Sequence, residues 1–215
     1  MDIRQVHIPP LGLPGTLQVP AAASGVIVFV HGSGSSRLSP RNVAVAEALK
    51  GRGMATLLFD LLTSDEELDR TNVFDILLLA RRLIGAVHWI DGQPGVGTLP
   101  LGLFGASTGA AAAIVAAAQL EHRVAAIVSR GGRPDLAGAA LEWVRAPTLL
   151  IVGGADYGVI ELNQQAFARL KGEKAIEIVP GATHLFEEPG TLEQVAQIAG
   201  DWFVEHVPSR AERRT

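Results

Sequence analysis

The chain has 215 residues, 48% of them hydrophobic and 19% charged, which predicts a globular domain spanning 1–215 and excludes extensive disorder. Its formal net charge of −4 provides no broad basic surface, so we expect neither nucleic acid nor a membrane as a partner. The absence of cysteine excludes disulfides and a cysteine nucleophile. Residues 209–215 are interpreted as a flexible basic tail, and with no signal-peptide pattern we expect a cytoplasmic protein.

Apolar runs alternate with helical patterns along the chain. Two short segments before residue 20 predict an antiparallel hairpin at one edge of a sheet. Apolar runs then predict buried strands, and the periodicity between them predicts connecting helices. The predicted strands lie at 25–30, 54–60, 101–104, 123–129, 146–152 and 174–180, and the predicted helices at 39–53, 71–90, 110–120, 135–143, 158–171 and 191–207.

This alternation predicts an α/β fold whose mostly parallel central sheet is covered by helices on both faces. Ser39 followed by Pro40 predicts the start of the first helix, and Thr191 with Gln194 three residues later predicts a capping box on the last. Ligands of such sheets bind beyond the carboxyl ends of the strands. The residues directly after each strand are therefore the candidates for a functional site.

The sequence GASTG (105–109) lies between a strand-like run and an alanine-rich helical run. This G-x-S-x-G pattern is typical of a strand-to-helix turn that exposes the serine hydroxyl at the top of a sheet. A serine hydroxyl is a weak nucleophile until a base removes its proton, and an acid must orient that base. Ser107 is thus a candidate nucleophile if later strands supply the two partners.

The candidates for base and acid lie after later strands. Among the histidines C-terminal to Ser107, only His184 lies in a loop after a strand, and it is the predicted base. Asp156 comes directly after the preceding strand and is the predicted acid, with Asp135, one strand earlier, as the alternative. Gly-Ala-Asp sequences also form ordinary turns, and Asp135 would serve equally well as a helix cap. The order Ser, Asp, His after successive strands favours a catalytic triad.

The tetrahedral intermediate of acyl transfer also needs backbone donors for its oxyanion. The amide of Thr108, directly after the serine, is one candidate. The amide of Ser33 in the loop HGSGSSR (31–37) is the other, with Gly34 as the alternative. We name residues 31–37 the oxyanion loop. His31 precedes the nucleophile in the chain and is interpreted as a structural anchor of this loop.

The segments HGSGSSR, FGASTG, VGGADYG and GATHLFEEPG occur in the order expected of the α/β-hydrolase fold, and nearly the whole chain resembles the dienelactone hydrolase family. The resemblance implies a three-layer α/β-hydrolase fold without a lid domain, and hydrolysis of esters or lactones by a nucleophile–His–Asp triad without metal or cofactor. The family's name-giving enzymes use cysteine where this chain has Ser107, and they carry a glutamate near the oxyanion loop. We therefore expect a serine carboxylesterase that acts through an acyl-enzyme, rather than a hydrolase of dienelactone itself.

Other classes of function stay open at this point. A strand, a Gly-x-Gly loop and Asp60 resemble a dinucleotide site, but the third glycine is missing and the helix begins only near Ser39. A non-catalytic protein could keep the fold, and acyltransferases and peptidases use the same triad. Three polar residues near strand ends could bind substrate or form ion pairs that tether loops: Arg37, Asp60 and Arg130.

The spacing of the strands limits what can cover the site. Only residues 131–145 separate the strand that ends at Arg130 from the next, too few for a cap domain, and the acidic segment 61–71 is the other sizeable insert. We therefore expect a shallow site for a small ester or lactone, with acetyl to butyryl groups preferred and no activation at a lipid interface. The sequence leaves open whether the protein is a homodimer.

Overall fold

Eight strands form one sheet in the computed structural model, which describes residues 2–207, so the basic tail predicted at 209–215 lies outside the described residues. The strand order is β1-β2-β4-β3-β5-β6-β7-β8. The strands are β1 (Asp2–Ile8), β2 (Leu13–Val19), β3 (Gly25–Val30), β4 (Met54–Phe59), β5 (Leu101–Ala106), β6 (Val124–Arg130), β7 (Thr148–Gly153) and β8 (Lys174–Val179).

The helices lie in layers on both faces of this sheet. One apolar core packs α4, α5 and α6 against one face, and a second packs α1 and α7 against the other. The helices are α1 (Pro40–Gly51), α2 (Ser64–Glu67), α3 (Arg70–Phe74), α4 (Ile76–Asp91), α5 (Thr108–Leu120), α6 (Tyr157–Arg169) and α7 (Thr191–His206), with 3₁₀ segments at Glu121–Arg123 and Pro134–Glu142. The predicted three-layer α/β fold is confirmed.

The direction of the strands brings the carboxyl ends of the central ones together. β1 and β2 form the predicted antiparallel hairpin, and β2 runs antiparallel to β4. All other neighbouring pairs, from β4 through β8, are parallel. In the register, Val30 pairs with Gly105, and Ala106 pairs with Arg130. The loops after β3, β5 and β6 therefore emerge side by side.

Burial on both faces explains why the central strands have no alternating pattern. Every residue of β3, β4, β5 and β7 is buried. Phe29 and Phe104 stack across β3 and β5 with ring centroids 4.9 Å apart. A strand covered by helices on both sides gains apolar burial at each position, which favours a continuous apolar run.

The long helix predicted at 71–90 is interrupted. α3 ends at Phe74, and the side chain of Asp75 accepts the amide hydrogen of Leu78 at 2.9 Å, so that α4 begins at Ile76. Aspartate competes for backbone amides in this way and favours a helix start over a helix interior. The segment is helical as predicted, but Asp75 divides it into two helices.

The capping box predicted at Thr191 was also wrong. Thr191 is already the first helical residue, and its hydroxyl donates to the carbonyl oxygen of Glu188 at 2.7 Å. A capping box does occur at α2, where the Glu66 amide donates to Thr63 Oγ1 at 3.2 Å and the Thr63 amide donates to Glu66 Oε2 at 3.0 Å. It stabilises the start of a helix that is only four residues long.

The first turn of α5 packs closely against the end of β3. A Cβ atom added at Gly109 would overlap the carbonyl oxygen of Val30 and lie 2.6 Å from that of His31. These are backbone atoms of a central strand, which has no free space into which it can move. Glycine at position 109 is therefore required by the contact between α5 and β3.

Replacing Gly109 with alanine should lower the free energy of unfolding by about 3 kcal/mol, because the added methyl group forces α5 away from β3. Gly85→Ala in α4 is the matched control, since nothing lies within 4 Å of its added Cβ. That change should raise stability by about 0.5–1 kcal/mol, the usual gain in a helix interior. Urea denaturation of both variants measures the difference, and equal stabilities would contradict the packing described.

Candidate active site

Ser107 lies in a sharp turn between β5 and α5. Its backbone angles are φ 50° and ψ −123°, a region that residues with side chains rarely adopt. A Cβ atom at Gly105 would lie 2.5 Å from the Cα atom of Ala110, so the turn closes only with glycine there. The carbonyl oxygen of Ser107 accepts the amide hydrogens of Ala110 at 3.1 Å and Arg133 at 3.0 Å. The surrounding backbone holds the strained serine at the carboxyl end of the sheet.

His184 and Asp156, the predicted base and acid, form a hydrogen bond. Nδ1 of His184 donates to Oδ2 of Asp156 at 2.7 Å. The Asp156 side chain is 17% exposed and the His184 side chain 37%, so the carboxylate is the better shielded of the two. A proton fixed on Nδ1 leaves Nε2 free to accept another. The pair therefore has the arrangement that a general base requires.

The loops that carry Ser107 and His184 meet at the end of β6. The Ser107 amide donates to the carbonyl oxygen of Arg130 at 3.3 Å. A Cβ atom at Gly131, the next residue, would lie 2.9 Å from the carbonyl oxygen of His184. Within residues 2–207 no hydrogen bond joins the serine hydroxyl to the imidazole. Such bonds are often long in free enzymes and shorten when substrate binds.

Asp135, the alternative acid, is bound to another partner. Arg133 contacts both of its carboxylate oxygens, each at 2.8 Å, in a bidentate ion pair. The hydrogen bond to Asp135 raises the pKa of Arg133 above its ordinary value. Because His184 is bonded to Asp156, the structure brings Asp156 and not Asp135 to the histidine.

The oxyanion loop passes directly over the serine. A Cβ atom at Gly32 would lie 2.7 Å from Ser107 Cβ and 3.5 Å from Ser107 Oγ, so only glycine fits there. The amide of Ser33, one of the two predicted oxyanion donors, donates to Oγ1 of Thr108 at 3.0 Å. The Thr108 residue is 4% exposed. The sequence pattern pointed only to the backbone of Thr108 and gave no signal for this side-chain contact.

His31 fastens the start of the oxyanion loop. Its buried ring accepts the amide hydrogen of Leu61 at Nε2, 3.1 Å away, and Nδ1 donates to the carbonyl oxygen of Gly32 at 3.1 Å. Since Nε2 is an acceptor, the proton lies on Nδ1. Both nitrogens are used by the backbone, as expected for a structural anchor.

Arg37 and Asp60 fasten the other end of the loop. The backbone amide of Arg37 donates to Asp60 Oδ1 at 2.7 Å, and its guanidinium group donates to Oδ2 at 2.7 Å. The aspartate comes directly after β4, so the pair ties the oxyanion loop to the neighbouring strand. Of the two interpretations left open by the sequence, these contacts favour loop tethering over substrate binding.

Arg130 is buried beneath the loop that carries His184. It is 6% exposed, donates to Oδ1 of Asn42 at 3.1 Å, and lies 6.0 Å from the ring centroid of Phe186. Burial and the nearby charge of Arg41 lower the pKa of Arg130 to about 10. Within residues 2–207 no carboxylate forms an ion pair with it. Its contacts with Asn42 and Phe186 connect α1 to the histidine loop.

A cavity of about 520 Å³ lies beside the oxyanion loop. Its lining includes Gly32, the residue of the oxyanion loop that lies against Ser107. The segment 61–75, which we name the insert, forms part of the wall through its short helices. Six apolar side chains contribute: Leu38, Pro40, Leu61, Leu62, Val73 and Leu79. Four serines and the charged side chains of Arg41 and Glu67 also line it. The insert thus contributes to the wall without forming a separate cap domain over it.

Two kinds of feature are missing from the part of the chain that the structure describes. Residues 2–207 contain no group of three histidine or acidic side chains placed to hold a metal ion. Over the same residues, no helix combines the length and the hydropathy that crossing a membrane demands.

The geometry of the site agrees with a comparison against protein families. The model of the dienelactone hydrolase family matches residues 13–204. The chain belongs to the dienelactone hydrolase family. The match includes β2 to β8 together with Ser107, Asp156 and His184. The family match agrees with the three-layer α/β-hydrolase fold described above.

Solved structures repeat the fold along almost the entire chain. The crystal structure of a dienelactone hydrolase from Anabaena variabilis is 52% identical, with a TM-score of 0.92, and the match covers 96% of this chain and 97% of that one. Est1E from Butyrivibrio proteoclasticus is 16% identical with a TM-score of 0.80, covering 96% and 99% of the two chains. The second likeness concerns the fold alone.

Two curated relatives carry a different kind of name. They are proteins of two Mycobacterium tuberculosis strains, provisionally named phosphoribosyl transferases, and each is 61% identical over 203 residues. The match covers 94% of this chain but 46% of each relative. The chain therefore spans about half the length of the curated relatives that it matches.

Lowering the pH should destabilise the insert, because it protonates the carboxylate of Glu66. Hydrogen bonding by the Thr63 amide, followed by the charge of Arg82 at 2.6 Å, lowers the pKa of Glu66 below its ordinary value of 4.5. A lowered acid pKa stabilises the fold above that ordinary value and loses this contribution as the pH falls below it. Hydrogen-exchange protection of residues 61–75 should therefore fall between pH 6 and pH 3.5, by up to about 1 kcal/mol.

The variant Glu66→Gln can still cap the helix but has no charge. Hydrogen-exchange protection of its insert should therefore be lower than in wild type at pH 6, and should change little as the pH falls. Glu67→Gln is the control, because the Glu67 carboxylate forms no hydrogen bond or ion pair within residues 2–207. If wild type and Glu66→Gln showed the same pH dependence, the assignment to Glu66 would be wrong.

Proposed function

We propose that this protein is a serine hydrolase that cleaves carboxylic esters or lactones of small substrates through an acyl-enzyme intermediate. The observation that carries the proposal is the 2.7 Å hydrogen bond between His184 and Asp156, at the same end of the sheet as the strained Ser107 turn. Membership of the dienelactone hydrolase family supports the hydrolase class.

The proposed reaction begins with attack of Ser107 Oγ on the substrate carbonyl carbon. The hydroxyl proton passes to Nε2 of His184, and the Asp156 carboxylate stabilises the imidazolium that forms. The tetrahedral intermediate collapses, and the alkoxide leaves with the proton from His184. Water, activated by the same imidazole, then attacks the acyl-enzyme, and its collapse releases the acid and restores Ser107.

The cavity beside the oxyanion loop is the proposed acyl site. Leu61, Leu62 and Val73 form an apolar part of its wall, Glu67 adds a charged side chain, and the cavity adjoins Gly32. An apolar wall favours an uncharged acyl group, because each buried methylene gains about 0.8 kcal/mol. The cavity volume is within the range of about 300–1,000 Å³ usual for small-molecule sites.

We further propose that the transferase name of the mycobacterial relatives concerns the part of those proteins outside the match. The matched segment is less than half of each relative. In this chain that segment contains the complete serine turn and the His184–Asp156 pair. A purified preparation of this chain that hydrolyses esters but leaves phosphoribosyl diphosphate unchanged would agree with this division.

Substitution of the two candidate acids tests the triad. Asp156→Asn should lower kcat by about 10⁴-fold, because the amide reverses the tautomer of His184. Asp135→Asn should leave kcat within about threefold, since Asp135 pairs with Arg133 instead. Hydrolysis of p-nitrophenyl acetate measures both, with Ser107→Ala as the inactive reference. The opposite ranking would transfer the role of the acid to Asp135.

The length of the acyl chain tests the cavity. The rate constant kcat/KM should rise about tenfold from acetyl to butyryl p-nitrophenyl esters, as two more methylenes are buried, and should fall by dodecanoyl. Val73→Trp narrows the cavity and should remove the preference for butyryl over acetyl esters. Leu77 is exposed and lies outside the cavity, so Leu77→Trp should keep that preference. A rate still rising through dodecanoyl, or a jump above the micellar concentration, would contradict the proposed acyl site.

A further inference from the structure

The backbone amide of Ser33, predicted to bind the oxyanion, already donates its hydrogen bond to another group. A backbone amide has a single hydrogen, and that of Ser33 points at Oγ1 of Thr108, 3.0 Å away. If this bond persists in catalysis, the Ser33 amide cannot give its full strength to a substrate oxyanion. The loop side of the site then lacks the donor that the sequence pattern assigned to it.

The hydroxyl of Thr108 can replace that donor. A hydroxyl group accepts through its lone pairs and still has one proton to donate. Within residues 2–207, Thr108 Oγ1 accepts from Ser33, and its own proton has no acceptor. Thr108 is also the first residue of α5, where backbone amides have no partner within the helix. One residue therefore offers two unused donors directly after the nucleophile.

We propose that Thr108 is a catalytic residue through its side chain, whose hydroxyl donates a hydrogen bond to the oxyanion alongside the residue's own backbone amide. The inference rests on the proposed function and specifies how that site stabilises its transition state. Ser33 acts from behind, because its amide orients the hydroxyl toward the reacting carbonyl group. The Thr108 proton stays on its oxygen throughout, while the proton of Ser107 passes to His184.

Two physical arguments favour this arrangement. In a chain of hydrogen bonds, each donor polarises the next, so a hydroxyl that accepts from Ser33 becomes a stronger donor to a negative oxygen. The bond to Ser33 also fixes the hydroxyl before the substrate arrives, and a preorganised donor in a shielded site contributes most to catalysis. Thr108 is 4% exposed, and Gly32 keeps the oxyanion loop close to Ser107.

A pair of substitutions separates the hydroxyl from the bulk of the side chain. Thr108→Val keeps the shape and removes the hydroxyl, and Thr108→Ser keeps the hydroxyl and removes a methyl group. We expect kcat for p-nitrophenyl acetate to fall about 10²-fold in Thr108→Val, with KM changed by less than about threefold. Thr108→Ser should retain kcat within about fivefold. A trifluoromethyl ketone, which binds as an oxyanion, should lose affinity in Thr108→Val by the same factor as kcat/KM.

The controls distinguish the possible failures. Wild type must react with a fluorophosphonate probe at Ser107; if it does not, the proposed function fails and this inference fails with it. If wild type reacts but Thr108→Val keeps or exceeds the wild-type kcat, only the role of the Thr108 hydroxyl is overturned, and the Ser33 amide is the donor. If thermal melting shows that Thr108→Val is not folded, Thr108→Ala replaces it. The kcat of Thr108→Ala must then be about 10²-fold lower than that of Thr108→Ser, and equal values would overturn the role of the hydroxyl.

Discussion

The site depends on one strained turn. Ser107 adopts a backbone conformation that a side chain disfavours. Backbone hydrogen bonds with Arg130, Ala110 and Arg133 hold it in this conformation. Gly105 and Gly109 remove the Cβ atoms that would strike α5 and β3, and Gly32 does the same for the oxyanion loop. The parallel sheet places the neighbouring strand ends beside this turn. The geometry of the proposed nucleophile is therefore a consequence of the fold.

Around that turn, each loop is fastened by contacts that leave the reacting groups free. His31 and the Arg37–Asp60 pair hold the oxyanion loop at both ends. Arg130 packs under the histidine loop through Phe186. Several charged residues near the site thus hold loops, while leucine and valine side chains form part of the cavity wall beside serines, Arg41 and Glu67. The apolar part of that wall is the part proposed to contact the acyl group of a substrate.

Local pattern and strand order were sufficient to predict the sheet and the residues at its edge. Apolar runs located the strands, and the ends of a parallel sheet brought Ser107, Asp156 and His184 to one edge, where the histidine and aspartate bond directly. The bond between Ser33 and Thr108 could not be foreseen, because it joins residues 75 positions apart and depends on side-chain rotamers. The break at Asp75 was missed because apolar periodicity continues across it, and only the hydrogen bond to Leu78 reveals the cap.

The central claim is that Ser107 becomes acylated during turnover, and acid-quenched mass spectrometry tests it most directly. Wild type and Asp156→Asn are mixed with p-nitrophenyl acetate, stopped within the first turnover, and digested. The proposed mechanism predicts one acetyl group on the peptide that contains Ser107 in wild type, lost again as the reaction ends. Asp156→Asn should carry far less acetyl group after the same time, because acylation also needs His184 as a base. An unmodified Ser107 peptide throughout turnover, or an acetyl group on another residue, would contradict it.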